Sequence, residues 1–261
     1  VGAAAAIYLA SLGFALFGLL MFLVRIPPFE RSRDRNVLQD LGDGLKFGLK
    51  NSLFTFLTFM NFMNIFFVSS YLTLLPVFAS EIFRGEASTL GFLYVAAGIG
   101  SLVGALTAAS LGHFRRMGWL VIGGAAAQAI LLMIFTISGS YIFSMLLLLL
   151  AGIGFSLFMV ASHSSVQLLV PDEFRGRLMA IWGMNYNVVY PLGQMQMGTV
   201  AGLTRTYLSG WLGRLAGAPA AVLLGSTVML AFTVLGAGSN REIRNLDSRR
   251  LGQREQLPSR T

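Results

Sequence analysis

Seven long stretches without a charged residue dominate this sequence, and they restrict the chain to one class of fold. A helix needs about 20 consecutive apolar residues to cross about 30 Å of hydrocarbon. Only helices and closed barrels satisfy all of their backbone hydrogen bonds in lipid, and these runs lack the alternation of barrel strands. We therefore predict an all-α membrane protein with seven transmembrane helices. The predicted spans are residues 1–24, 51–80, 87–112, 118–137, 141–161, 178–204 and 215–238, and the fifth run stays uncharged as far as residue 171.

The composition agrees with a membrane protein and disfavours several other classes. Hydrophobic residues make up 55% of the chain and charged residues 11%, whereas soluble domains carry about 25% charged residues. The chain has no cysteine, and its two histidines, His113 and His163, are far apart in sequence, so we expect no metal site and no cofactor. The net charge of +8 is distributed between the spans. This distribution favours contact with a lipid bilayer and disfavours nucleic acid as a partner.

The basic residues predict how the chain is oriented in the membrane. If the seven spans alternate, sixteen of the 19 Lys and Arg residues lie on one side. The other three, Arg84, Arg205 and Arg214, lie opposite. Because loops rich in Lys and Arg stay in the cytoplasm, we predict an amino end outside and a cytoplasmic carboxyl end.

Two segments between and after the spans have distinct patterns. Leu38, Leu41 and Leu45 recur at helical spacing within residues 36–50, which predicts an amphipathic helix at the inner membrane surface. An ordinary linker would fit the same residues. The polar, Arg-rich residues 239–261 predict a disordered cytoplasmic tail.

Short motifs give this chain a resemblance to a known family. The segment VPDEFRGRLMA, from Val170 to Ala180, and the later Pro191-Leu-Gly resemble bacterial exporters of the enterobactin-exporter and transmembrane-secretion-effector group. The segment LGHFRRMG, from Leu111 to Gly118, resembles the second copy of a loop motif of the major facilitator superfamily. His113 departs from that motif, because an aspartate often stands near this place, and the departure puts the salt bridge of that loop in doubt.

The resemblance implies an architecture. On this mapping residues 1–24 resemble helix six of a major facilitator transporter, residues 25–50 the cytoplasmic central loop, and residues 51–238 the C-terminal six-helix bundle. It further implies that helices one to five, missing from this sequence, belong to the same protein. No Asp, Glu, Lys or Arg lies inside a predicted span except at the edges, so we expect the group that couples transport to an ion to lie in that missing part.

Polar side chains inside two spans are the candidates for a substrate cavity. Asparagine in hydrocarbon needs a partner, and the resemblance implies that the second span lines a central cavity. Interhelical hydrogen bonding or packing against neighbouring helices would explain the same polar residues, and the phenylalanines around Asn61 and Asn64 could simply face lipid. The cavity candidates are Asn61, Asn64 and Tyr71 in the second span and Asn185, Asn187 and Gln194 in the sixth.

Charged residues in two predicted cytoplasmic loops are candidates for a gate. Charge pairs that break and form between conformations suit alternating access. The same arginines could merely keep the loops in the cytoplasm. The gate candidates are Arg115, Arg116, Asp172, Arg175 and Arg177.

These observations favour a secondary active transporter of the bacterial inner membrane that exports a small amphiphilic solute, such as a drug or siderophore, by alternating access. The alternative is a non-transporting membrane protein, or a half-transporter that acts as a scaffold or partner subunit. The sequence contains no HExxH motif and no paired carboxylates within a span, and Ser156 lacks the second glycine of a nucleophile elbow. We therefore do not expect an enzyme.

Overall fold

The structure, a computed structural model, describes residues 3–23, 51–111, 117–170 and 172–239. Within these ranges the chain forms seven helices and no strand, which confirms the predicted fold class. The helices are α1 (Ala3–Leu23), α2 (Ser52–Ile82), α3 (Ala87–Ser110), α4 (Met117–Ile137), α5 (Tyr141–Leu169), α6 and α7 (Ala218–Ser239). α6 has two parts, α6a (Asp172–Met184) and α6b (Tyr190–Leu212), joined by a π-helical turn over Asn185–Val189. The predicted central loop 25–50 and residues 240–261 of the predicted tail lie outside the described residues.

The chain divides into two compact units, residues 1–39 and 40–261. α1 belongs to the first unit, and its described large side chains are exposed, as at Phe14 and Phe22. The second unit contains α2 to α7. Five of the described helices, α2, α3, α4, α5 and α7, are long and apolar enough to cross a membrane. α1 adds a shorter apolar segment, Ser11–Phe22.

Three predicted boundaries were wrong. The fifth helix continues to Leu169, eight residues beyond the predicted end at residue 161, and the sixth runs from Asp172 to Leu212, whereas its predicted span is 178–204. Residues 172–177, predicted to lie between these two spans, are therefore helical. The error has a physical cause, since polar residues mark the end of the hydrocarbon and not the end of the backbone hydrogen bonding.

Glycines set the spacing between α3 and α5. A methyl group added to Gly104 would lie 2.6 Å from the carbonyl oxygen of Ile153, and one added to Gly100 would collide with the carbonyl oxygen of Leu149. From the opposite side, a methyl group on Gly152 would collide with the carbonyl oxygen of Ala97. Gly100 and Gly104 have the small-xxx-small spacing of membrane helix contacts, and they bring the two backbones into direct contact.

The same helix α5 makes a reciprocal glycine contact with α4. A methyl group on Gly124 would lie 2.7 Å from the carbonyl oxygen of Gly154, and one on Gly154 would lie 2.9 Å from that of Gly124. Helix association in lipid depends on close packing. α5 therefore holds α3 and α4 on its two sides.

Helix α2 packs against α6b and α7. A methyl group on Gly193 would meet the carbonyl oxygen of Phe66 at 2.7 Å, and one on Gly225 would collide with that of Phe67. The phenylalanines of α2 form a stacked row that continues onto Phe232 of α7, whose ring centroid lies 5.7 Å from that of Phe56 and 5.2 Å from that of Phe59. Most of these phenylalanine rings therefore pack against one another along α2 or against Phe232 of α7.

Candidate functional site

A cavity of about 260 Å³ lies among α2, α3, α4 and α5. Its volume is slightly below the range of about 300–1,000 Å³ that is usual for ligand pockets. Two tyrosines, one phenylalanine, one amide and two hydroxyls give it aromatic walls with a few polar groups. None of the described residues that line it is charged. The lining residues are Ser69, Tyr71, Leu72, Tyr94, Ala97, Gly98, Ser101, Gln128, Ala151, Gly152 and Phe155.

A change of helix type in α2 creates one wall of the cavity. The α-helical part ends at Phe67, and Ser69–Leu74 forms a 3₁₀ helix. Ser70 donates a hydrogen bond to the carbonyl oxygen of Ile65 at 2.9 Å, and such local bonds from serine compete with regular helical geometry. Tyr94 of α3 donates to the backbone carbonyl of Leu72 at 3.0 Å. The irregular segment is thus bonded across the cavity to α3.

A buried chain of amides and a hydroxyl links α2 to α4 at the cavity. Asn64 Nδ2 donates to Gln128 Oε1 at 2.8 Å, and Ser69 Oγ donates to Asn64 Oδ1 at 2.9 Å. All three side chains are buried. Gln128 lines the cavity and makes no other hydrogen bond within the described part of the chain. An amide pair in a low-dielectric interior also fixes the two helices relative to each other.

One side of the cavity is open at a glycine. A methyl group added to Gly98 would meet nothing within 4 Å, in contrast to Gly100 two residues later. Gly98 lines the cavity, whereas Gly100 faces the α5 backbone. The two glycines therefore have different roles, one leaving space and the other allowing contact.

The three candidates of the second span occupy different positions. Tyr71 lines the cavity and is 6% exposed. Asn64 lies one hydrogen bond behind the wall, through Ser69 and Gln128. Asn61 is fully buried and does not line the cavity, and among the described residues neither its amide oxygen nor its amide nitrogen has a hydrogen-bond partner.

The two sixth-span candidates whose side chains are described, Asn187 and Gln194, do not line this cavity. Asn187 is exposed and donates to the carbonyl oxygen of Gly183 in its own helix at 3.1 Å. Gln194 is half-buried and lies outside the cavity lining. Asn185 begins the π-helical turn, and its side chain lies outside the described part. The turn comes directly before Pro191, which cannot donate a backbone hydrogen bond to the preceding turn.

Sequence reasoning missed several residues of the cavity, above all Gln128 and Tyr94. Gln128 is the sole amide in the otherwise apolar helix α4. A lone amide in a membrane helix needs a partner, so this signal was present in the sequence. Tyr94 offered no comparable signal.

The gate candidates are placed only in part. Arg115 and Arg116 lie outside the described residues. Asp172, Arg175 and Arg177 lie in the first two turns of α6a, and their side chains are likewise not described. The structure therefore shows their helix and not their contacts.

An ion pair joins two helices at the end of the bundle where α2, α4 and α6 finish, here called the distal end. Arg205 Nη1 of α6b lies 2.7 Å and 2.8 Å from the two carboxylate oxygens of Glu81 in α2. The hydrogen bond to Glu81 raises the pKa of the Arg205 guanidinium, which is charged at any physiological pH.

With the fold and the cavity in place, the comparison with known proteins assigns a class. The model of the Major Facilitator Superfamily matches residues 2–194, and the chain belongs to this family. The match confirms the resemblance found in the sequence and makes the chain part of a multi-pass membrane protein.

Within this family, the chain is similar to enterobactin exporters. The chain is similar to the enterobactin exporter EntS of Shigella flexneri, at 26% identity over 163 residues, which are 62% of this chain and 38% of that protein. It is similar in the same way to EntS of Escherichia coli O81, at 25% identity over 163 residues, again 62% of this chain and 38% of the relative. The chain thus matches well under half the length of these relatives. No solved structure matches.

Proposed function

We propose that this chain is the C-terminal half of a secondary active transporter that exports a small amphiphilic solute from the bacterial cytoplasm. The family match supports transport, and the similarity to enterobactin exporters supports export as its direction. The excess of Lys and Arg on one side supports a cytoplasmic carboxyl end.

One observation carries the proposal: a mostly apolar cavity with a few polar groups lies next to a discontinuous membrane helix. Irregular backbone at membrane depth is tolerated where it lines a cavity, and transporters place their solute sites at such broken helices. In α2 the 3₁₀ segment Ser69–Leu74 supplies Ser69, Tyr71 and Leu72 to the cavity. The buried amides alone would also suit a scaffold, because they join α2 to α4; the open space beside the 3₁₀ segment is what favours a transporter.

The cavity chemistry favours an amphiphilic solute. Tyr71, Tyr94 and Phe155 offer aromatic surface, and Gln128 with Ser101 offers hydrogen-bonding groups. The described lining is uncharged. We therefore expect the residues that select a solute by its charge, and those that bind the coupling ion, to lie in the rest of the transporter. Alternating access then requires the missing helices to close over this face.

The experiment fills the cavity without disturbing helix packing. Gly98→Leu adds four carbon atoms where a methyl group meets nothing within 4 Å. Gly123→Leu is the matched control, because Gly123 of α4 is exposed, equally free of neighbours and outside the cavity lining. Each variant is expressed from the complete natural gene in a deletion strain, and accumulation of dyes, siderophores and antibiotics is measured at equal membrane abundance.

We expect the deletion strain and the Gly98→Leu strain to accumulate a solute that the wild-type and Gly123→Leu strains expel. If wild type and deletion accumulate every compound equally, the protein does not export them and the non-transporting alternative is favoured. If wild type expels a solute and Gly98→Leu does so equally well, transport holds and this cavity is not its path.

A further inference from the structure

A second and larger cavity opens at the distal end of the bundle. It measures about 710 Å³ and lies between the ends of α2 and α4 and the segment that leads into α7. It has apolar walls and charged residues together. The lining residues are Val77, Glu81, Ile82, Arg84, Thr136, Ile137, Ser138, Arg214, Leu215, Ala216, Ala218 and Pro219.

The cavity has an excess of positive charge. Glu81 is the acidic residue of the lining, and Arg205 neutralises it through hydrogen bonds to both carboxylate oxygens. Arg84 and Arg214 line the cavity without an ion-pair partner among the residues that the structure describes. Glu86, two residues beyond Arg84, is exposed and lies outside the lining. Two guanidinium groups are thus left for a ligand.

The backbone holds both arginines at the cavity. Arg84 has φ +50° directly after the C-cap of α2, the left-handed conformation in which helices commonly end, although usually at glycine. Arg214 follows Gly213 at φ +51°. Its Nη2 lies near the α4–α5 turn, 3.7 Å from where a methyl group on Gly139 would be.

The predicted topology makes arginine unexpected at the distal end of the bundle. Arg84, Arg205 and Arg214 are the three of 19 basic residues that the alternation of spans places here. The positive-inside bias disfavours arginine on this side of a membrane protein. Arg84 and Arg214 line the same cavity, and Arg205 neutralises its carboxylate, Glu81. The orientation of the chain in the membrane does not require this arrangement.

We propose that this cavity binds the anionic group, a phosphate or a carboxylate, of an amphiphile. Arginine forms charge-assisted, often bidentate hydrogen bonds with both groups. Val77, Ile82 and Ile137 provide apolar contact for an adjoining chain or ring. The anion has two possible sources, the headgroup of an acidic phospholipid in the outer leaflet or a soluble anion, and the site stands independently of whether the protein transports.

The test measures binding to the purified full-length protein. Phosphatidylglycerol retention is counted by native mass spectrometry from nanodiscs that also contain zwitterionic lipid. Inorganic phosphate and benzoate are titrated separately, with thermal stability as the readout. The variants are Arg84→Gln, Arg214→Gln and Glu81→Gln, and the control is Arg241→Gln, in the tail.

We expect each of Arg84→Gln and Arg214→Gln to weaken anion binding roughly tenfold or more, with Arg241→Gln unchanged. Glu81→Gln removes the acidic group of the lining and releases Arg205, so it should strengthen binding. This opposite effect keeps the test valid if an arginine variant folds poorly.

The lipid-retention and anion-titration measurements together identify the source of the bound anion. Arginine-dependent retention of phosphatidylglycerol that phosphate and benzoate do not displace assigns a lipid headgroup. Arginine-dependent stabilisation by phosphate or benzoate assigns a soluble anion. Binding that stays the same in both arginine variants and in Glu81→Gln overturns the site, whatever the transport assays show.

Discussion

The substitution Gly104→Ala tests the packing of α3 against α5 most directly. The added methyl group would lie 2.6 Å from the carbonyl oxygen of Ile153 and 3.0 Å from Cβ of Ser156, where ordinary contact begins at 3.4 Å. The two helices must therefore separate by about 0.8 Å or distort. Overpacking of this kind costs about 1–3 kcal/mol, and alanine's better helix propensity offsets about 0.5–1 kcal/mol of it. These ranges leave a net loss between about 0 and 2.5 kcal/mol, about 1.25 kcal/mol at their midpoints.

The measurement is the apparent Tm of the detergent-solubilised protein. A change of 1 kcal/mol shifts Tm by about 2–4 °C in a protein of this size, so Gly104→Ala should lower Tm by about 2.5–5 °C at the midpoint and by at most about 10 °C. Gly98→Ala is the matched control in the same helix, because its methyl group meets nothing within 4 Å, and its Tm should be equal or slightly higher. Equal Tm values for Gly104→Ala and Gly98→Ala would refute the close approach of the helices.

Two further outcomes follow from the polar groups. Gln128→Leu leaves the buried amide of Asn64 without its 2.8 Å partner and should cost about 1–3 kcal/mol; the double variant with Asn64→Leu should recover part of that loss, and additive Tm losses would contradict the pairing. Arg175→Gln should slow efflux if the arginine belongs to a cytoplasmic gate, whereas unchanged efflux at equal expression and unchanged orientation would leave it only a topological role.

The spans were predictable because lipid imposes a simple rule on the sequence. A long uncharged run without alternation that crosses lipid must be a helix, so α3 and α4 begin and end within two residues of the prediction. The glycine contact at Gly100 and Gly104 was predictable for a similar reason, since small residues four apart present a flat helix face. The helix start at Asp172 was not predictable, because charged residues near a membrane edge indicate where the hydrocarbon ends and not where a helix begins.

The candidate site was predictable only in part. A polar residue in a membrane span indicates that a hydrogen-bond partner is needed, but the sequence does not show which residue is that partner. Asn64 was correctly expected to need one, but Gln128 lies 64 residues away in sequence. Asn61, only one turn from Asn64, was expected to behave alike, yet it has no partner in the described structure. Helix rotation decides between these two outcomes, and hydropathy carries no information on it.

The glycine contacts around α5 have a consequence for how such a protein can diverge. Gly100, Gly124 and Gly152 tolerate no larger side chain without moving a neighbouring backbone, so the wall formed by α3, α4 and α5 should change slowly in evolution. Leu72 and Ser101 face the cavity through side chains whose replacement alters its shape. We expect cargo preference to diversify at such positions while the three-helix wall is inherited nearly unchanged.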